Sequence, residues 1–207
     1  MWPLKPNIRK LESKRDIEGL RKASTCKNPK SFVAALQALE RVGARSALKE
    51  AAAKRSEAIV ESIFSGDDPS SWRTRAPNAK SLLDSMPREA RDECIECAIS
   101  SMCIKHATKF AAAVLTHSFD DIDDRVGNEW AKIVFFVRAL LDTEDPSLQV
   151  VVQQSVAKGL RDSWELTTKF LPEKLHAKHA KMLLKLANIN FPELEIRALA
   201  RKQEVSE

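Results

Sequence analysis

Apolar residues recur at three- and four-residue spacing along this chain, the period that lays them on one face of an α-helix. The clearest case is Phe32, Val33, Leu36, Leu39 and Val42, opened by Asn28-Pro29 and stopped by Gly43. Upstream, Asn7 is placed to cap a short helix carrying Ile8 and Leu11, and Asp16 a second carrying Ile17, Leu20 and Ala23, the two joined near Lys14-Arg15. Downstream, Ser46 is read as the cap of a helix whose thin stripe is Leu48, Ala51, Ala52, Ile59 and Ile63, ending at Ser65-Gly66. Stripes of small residues suit close packing of one helix on another.

Residues 65–78 hold Gly66, Pro69 and Pro77 and show no periodicity, which predicts a long loop and the best candidate boundary. A short helix at about 79–85 is expected next, then one opening at Ser85-Met86-Pro87 and running through the cysteines. A kink near Ser100-Ser101 would separate it from an Ala-rich continuation to about residue 117. The acid-rich stretch Asp120 to Asp124 suits a helix N-terminus, with Val126, Trp130, Ile133, Val134, Val137 and Leu141 facing the core. Asp145-Pro146 opens the next helix, with Leu148, Val151, Val152, Ser155 and Val156 inward and a break at Gly159. Helices over 164–170, 173–187 and 193–202 complete the pattern, with frayed final residues. About ten helices with short connections exceed a four-helix bundle, so stacked antiparallel helix pairs are expected.

Composition agrees. The chain has no Tyr and only 5 Gly in 207 residues, and it is rich in Ala, Leu, Lys and Glu, which favours one all-helical domain over 1–207 with a sub-boundary at 65–78. It argues against a β-sandwich, a barrel or a dinucleotide-binding sheet. This length can bury a core without metal or disulfide staples. No apolar run reaches the length of a membrane span, and the opening Met1-Trp2-Pro3-Leu4-Lys5-Pro6 lacks a signal-peptide core. The expectation is a soluble cytoplasmic protein with reduced Cys26, Cys94, Cys97 and Cys103. Charge is uneven: net +8 over 1–60, −6 over 61–145 and +3 over 146–207. A basic end of this kind meets nucleic acid, an acidic lipid surface or an acidic protein, or is a solvated helix face.

The segment from Asn28-Pro29 to Val42-Gly43, with Ala34, Ala35, Ala38 and Leu39 at matching places, resembles the HEAT-like helical repeat. Lys5 to Leu11 and Asp16 to Leu20 look like the lead-in helices of some prokaryotic HEAT-repeat proteins. Phe32 stands where that pattern has an Arg, and Ala44-Arg45-Ser46 replaces its second Asp-Pro-Arg start. The resemblance covers residues 5–55, with an echo at Asp145 to Val152 in which Val replaces the small positions. Pro29, Pro69 and Pro146 stand 40 and 77 residues apart, close to one and two periods of such a repeat. The resemblance implies a HEAT-like α-solenoid or irregular helical array that binds partners, and a fold alone assigns no chemistry.

Four soft ligands, Cys94, Cys97, Cys103 and His106, fall within 13 residues, a count that suits tetrahedral zinc. On one straight helix they point to about 0°, 300°, 180° and 120°, so they converge only if the helix breaks at Ser100-Ser101. Helical core or surface cysteines are the expectation, with Cys94 and Cys97 as a redox pair lacking any thioredoxin-like surroundings. His117, Asp120, Asp121, Asp123 and Asp124 could ligate a hard metal, but lack the Gly and distal Glu of a calcium loop. His176 and His179 share a face without a third ligand and read as exposed. No nucleophile elbow, phosphate-binding glycine loop or metalloprotease helix occurs, so neither catalysis nor a cofactor is expected.

Trp72, flanked by Arg73 and Arg75 in the expected loop, either anchors a protein partner or turns inward and pins the loop. The leading expectation is an interaction scaffold for a protein partner. The alternative is nucleic-acid binding through Arg9, Lys10, Lys14, Arg15, Arg21, Lys22, Arg41, Arg45 and Lys49.

Overall fold

A computed structural model of the chain describes residues 7–65, 68–116, 124–142 and 145–197. Among them lie nine α-helices, one 3-10 turn and no strand. The helices are α1 (Ile8–Ser13), α2 (Ile17–Ala23), α3 (Pro29–Arg41), α4 (Arg45–Phe64), α5 (Pro69–Asp84), α6 (Arg88–Thr116), α7 (Asp124–Leu141), α8 (Pro146–Thr168) and α9 (His176–Asn190), with the 3-10 turn at Glu173–Leu175. The chain divides into two units, Met1–Ala98 and Ile99–Glu207, so the division falls inside α6 and not at 65–78.

Helix starts follow their caps. Asn7, Asp16 and Asn28 accept hydrogen bonds from the backbone N–H groups of Lys10 (3.1 Å), Gly19 (2.8 Å) and Ser31 (3.2 Å), and Asp145 accepts from Ser147 (2.9 Å). Each satisfies a donor that the first helical turn leaves open. The end of α3 is a paired C-terminal motif: Gly43 N–H donates to Glu40 C=O and Ala44 N–H to Leu39 C=O, both at 2.9 Å. The motif needs the left-handed backbone that Gly43 adopts at φ +77°. Because that turn leads straight into Arg45, α4 begins behind Ala44 with no side-chain cap, and Ser46 lies within its first turn.

In the first unit Phe32, Leu36 and Leu39 of α3 are buried with Leu20 of α2, and Leu48, Ala51, Ala52, Ile59 and Ile63 of α4 are all buried, as their spacing predicts. Alternate helices run in the same sense. Arg45 pairs with Glu89 at 3.5 Å and Lys49 with Glu93 at 3.4 Å; both partners advance by four residues, so α4 and α6 run parallel. Beside them, Lys30, Val33, Ala34 and Gln37 of α3 share a groove with Asn78, Ser81, Leu82 and Ser85 from α5 and its C-terminal cap. Gln37 Nε2 donates to the Ser85 carbonyl at 3.4 Å.

The expected loop over 65–78 is instead mostly helix. Asp68 caps α5, Pro69 occupies its first turn where no N–H is needed, and Pro77 lies inside it. Trp72, Ala76, Ala79 and Leu83 are buried at spacings of four, three and four residues. That burial outweighs the hydrogen bond lost at Pro77, and it merges the short helix expected at 79–85 into α5.

In the second unit α6 continues through Ser100-Ser101 without interruption. On α7, Trp130, Ile133, Phe136, Val137 and Leu140 face the core; Val134 and Leu141 are half-buried, and the Val126 side chain lies outside the described residues. On α8, Leu148, Val152, Ser155 and Val156 are buried and Val151 is half-buried. The break expected at Gly159 is absent because this glycine is a contact point: a Cβ there would stand 2.8 Å from Cys103 Sγ. Residues 193–197 are not helical, and the rest of the helix expected over 193–202 lies outside the described residues. Arg138 of α7 holds this tail by pairing with Glu193 and donating to the Asn190 carbonyl.

Candidate functional site

With α5 helical, Trp72 turns inward. It is 2% exposed and meets Phe64 edge to face with ring centroids 5.1 Å apart, so it is no surface anchor. Arg75 is half-buried and donates to the carbonyl and hydroxyl oxygens of Ser65, tying α5 to the end of α4. Of the three residues proposed for a partner, Arg73 alone stays exposed.

The nine basic residues divide into two groups. Arg41 grips Glu12 with two bonds, of 2.5 and 2.9 Å, and Arg21 grips both oxygens of Glu50 at 2.6 and 2.7 Å. Arg21 and Lys22 also reach Glu18, at 3.2 and 3.9 Å, and Arg45 and Lys49 form the two rungs between α4 and α6. Hydrogen bonds from Lys54 and Arg21 hold the Glu50 carboxyl below the usual carboxylate range, and Arg41 does the same to Glu12. Arg9, Lys10, Lys14 and Arg15 are exposed on α1 and the α1–α2 junction, with no ion pair to another described residue. Arg15 there takes a left-handed φ of 51°.

Cys94, Cys97, Cys103 and His106 stay on one unbroken helix, and no group of three or more His, Cys, Asp or Glu side chains among the described residues is arranged to hold a metal. Burial pushes the thiols of Cys94 and Cys103 up to about 12, far from thiolate chemistry at neutral pH. His117, Asp120, Asp121 and Asp123 lie outside the described residues, as does the side chain of Asp124.

The histidines depart most from expectation. His179 is fully buried and His176 half-buried, although their spacing on a Lys-rich segment reads as exposed. His179 stacks on Phe110 with centroids 4.4 Å apart and planes at 14°, and Phe110 stacks on His106 at 6.4 Å and 19°. Trp130 lies 5.4 Å from His106 and Trp164 lies 5.7 Å from His179, completing a column of rings in the second unit. Burial pushes both imidazoles down to about 4, opposed at His106 by Glu129 and reinforced at His179 by His106 and His176. Both are therefore neutral at pH 7. At 2% and 0% exposure neither meets solvent, so the column packs the core and offers no substrate a proton. The signal in the sequence was the spacing of Cys103, His106 and Phe110 along one stretch of α6, where His106 was weighed only as a metal ligand.

No protein-family model, curated protein or solved structure matches this chain. Among the described residues, no helix is long and apolar enough to cross a membrane.

Proposed function

We propose that this protein is an interaction scaffold whose parallel-stacked helices, in the manner of a HEAT-like array, present a surface to a protein partner. The observation that carries this reading is the pair of ion bridges Arg45–Glu89 and Lys49–Glu93. With Arg41–Glu12 and Arg21–Glu50, they spend cations of the basic end on carboxylates of neighbouring helices, leaving a surface of mixed charge. Mixed charge suits a protein face better than a phosphate backbone, which favours a continuous cationic stripe. A nucleic-acid reading retains Arg9, Lys10, Lys14 and Arg15, which are exposed on α1 and the turn after it.

Salt and nuclease separate the two. The tagged full chain is used to capture binding partners from cells, with and without nuclease, and bound material is washed at about 50 and 200 mM salt. A defined protein retained after nuclease treatment and at the higher salt supports the scaffold. Retention of nucleic acid alone, falling by roughly 10³-fold or more between those salt concentrations, overturns it.

A further inference from the structure

A pocket of about 280 Å³ opens between α2 and α4 in the first unit. Its charged lining is Arg21, Lys22, Lys54 and Arg55 against Glu18 and Glu50, an excess of two positive charges. The charges are not evenly matched. Glu50 is already held by Arg21 and by Lys54 at 2.7 Å, and Glu18 by Arg21 at 3.2 Å. Arg55 is different: its guanidinium lies over the Phe32 ring at 5.2 Å, and its one described hydrogen bond is a long 3.4 Å contact from Nη2 to the Lys27 carbonyl. Its Nε is buried and has no partner. No carboxylate of the described residues pairs with it.

A half-buried guanidinium without a counter-ion is costly unless an anion completes it. Arg offers planar donors that match oxyanions, and stacking on Phe32 fixes the plane in advance. The volume lies at the small end of ligand sites, and the hydroxyls of Ser24 and Thr25 are already donating to the carbonyls of Arg21 and Lys22, so recognition rests on the cations. From these observations we propose that the α2–α4 pocket binds a phosphate-monoester dianion, with Arg55 as its principal contact and Lys22 closing over it. The site stands apart from the partner-binding reading, which neither supports nor requires it.

The test is a titration of the isotope-labelled full chain with phenyl phosphate at constant ionic strength, followed by amide NMR. Saturable shifts centred on Thr25, Lys54, Arg55 and Ala58 are expected, weakened at least about tenfold by Arg55→Gln. Lys22→Gln, at a side chain 78% exposed and so harmless to the fold, should weaken binding about threefold, whereas Lys14→Gln, outside the pocket, should not. The Lys22 result stands even if Arg55→Gln disturbs folding. Inorganic phosphate binding as tightly as phenyl phosphate would identify the free ion as ligand, and tighter phenyl phosphate a phosphorylated molecule; either supports the site. Shifts that never saturate, equal affinity for benzoate, or unchanged affinity in both pocket variants would overturn it.

Discussion

The Thr167 hydroxyl stands 3.0 Å from Nδ1 of His179 inside the second unit. The same hydroxyl lies 2.9 Å from the Ser163 carbonyl and 3.0 Å from that of Trp164, where it donates its one proton to its own helix. Its oxygen is then left to accept from Nδ1–H, so the lone pair of the imidazole is on Nε2, which is buried and unpartnered. A proton added to that ring has nowhere to place its charge.

Acid should therefore loosen the second unit. His106 and His179 have folded pKa values lowered from 6.5 to about 4, so below pH 6.5 the unfolded chain binds protons that the folded chain refuses. Stability is full above about pH 6.5 and falls as the pH drops towards 4, by on the order of 3 kcal/mol for each ring. Glu129, held between Lys109 at 2.6 Å and Lys132 at 3.2 Å, moderates the effect at His106 without reversing it. Urea unfolding followed by tryptophan fluorescence should show a lower midpoint at pH 5 than at pH 7.5. Replacing both histidines by Leu should flatten that difference; an equal slope in the double variant would assign it to other groups.

Trp72→Ala should destabilise the first unit by about 3–5 kcal/mol, the usual cost of removing a buried aromatic side chain. The indole is buried edge to face against Phe64, so its removal leaves a cavity beside that ring. A variant retaining only Trp72 should emit in the blue. A red, water-exposed spectrum together with unchanged stability would refute the inward packing.

Gly159→Ala gains roughly 1 kcal/mol of helix propensity but drives a methyl to 2.8 Å from Cys103 Sγ and 3.2 Å from its Cβ. Overpacking typically costs about 1–3 kcal/mol, so the net effect should be destabilising. Combining it with Cys103→Ala removes the sulfur and should recover part of the loss. A double-mutant cycle with no coupling would show that α6 and α8 separate more easily than their contact implies.

Thiol labelling should divide the cysteines. Cys26 and Cys97 are half-buried and should react with a disulfide reagent in the native protein, whereas buried Cys94 and Cys103 should react only on unfolding. Four fast thiols at neutral pH would contradict the burial of α6.

Much of the fold was legible because helix formation is a local matter. The Asn7, Asp16, Asn28 and Asp145 caps, the Gly43 stop and the α4 stripe lie within a few residues of the groups they satisfy, and each appears where its sequence placed it. The misses occurred where neighbours in space overrule neighbours in sequence. Pro69, Pro77 and Gly66 read as breakers, yet the buried Trp72, Ala76, Ala79 and Leu83 carry α5 through Pro77. The basic residues of the first sixty were legible as charge, but not their pairing: Glu50 stands 29 residues after its partner Arg21, and Glu89 and Glu93 each stand 44 residues after theirs.

What the sequence determined by itself was an all-helical chain with a strongly basic first part and the phase of its best amphipathic helices, since caps and periodicity act over one or two turns. Tertiary structure decided the rest. It set which cations are neutralised and which, like Arg55, are not, and it made Gly159 a point of contact where a helix break had been expected. It also brought His106 and His179, 73 positions apart, into one column around Phe110. The reason is physical: ion pairing, burial and ring stacking depend on distances of a few ångströms between segments, and spacing along the chain carries no information about those distances until the helices have packed.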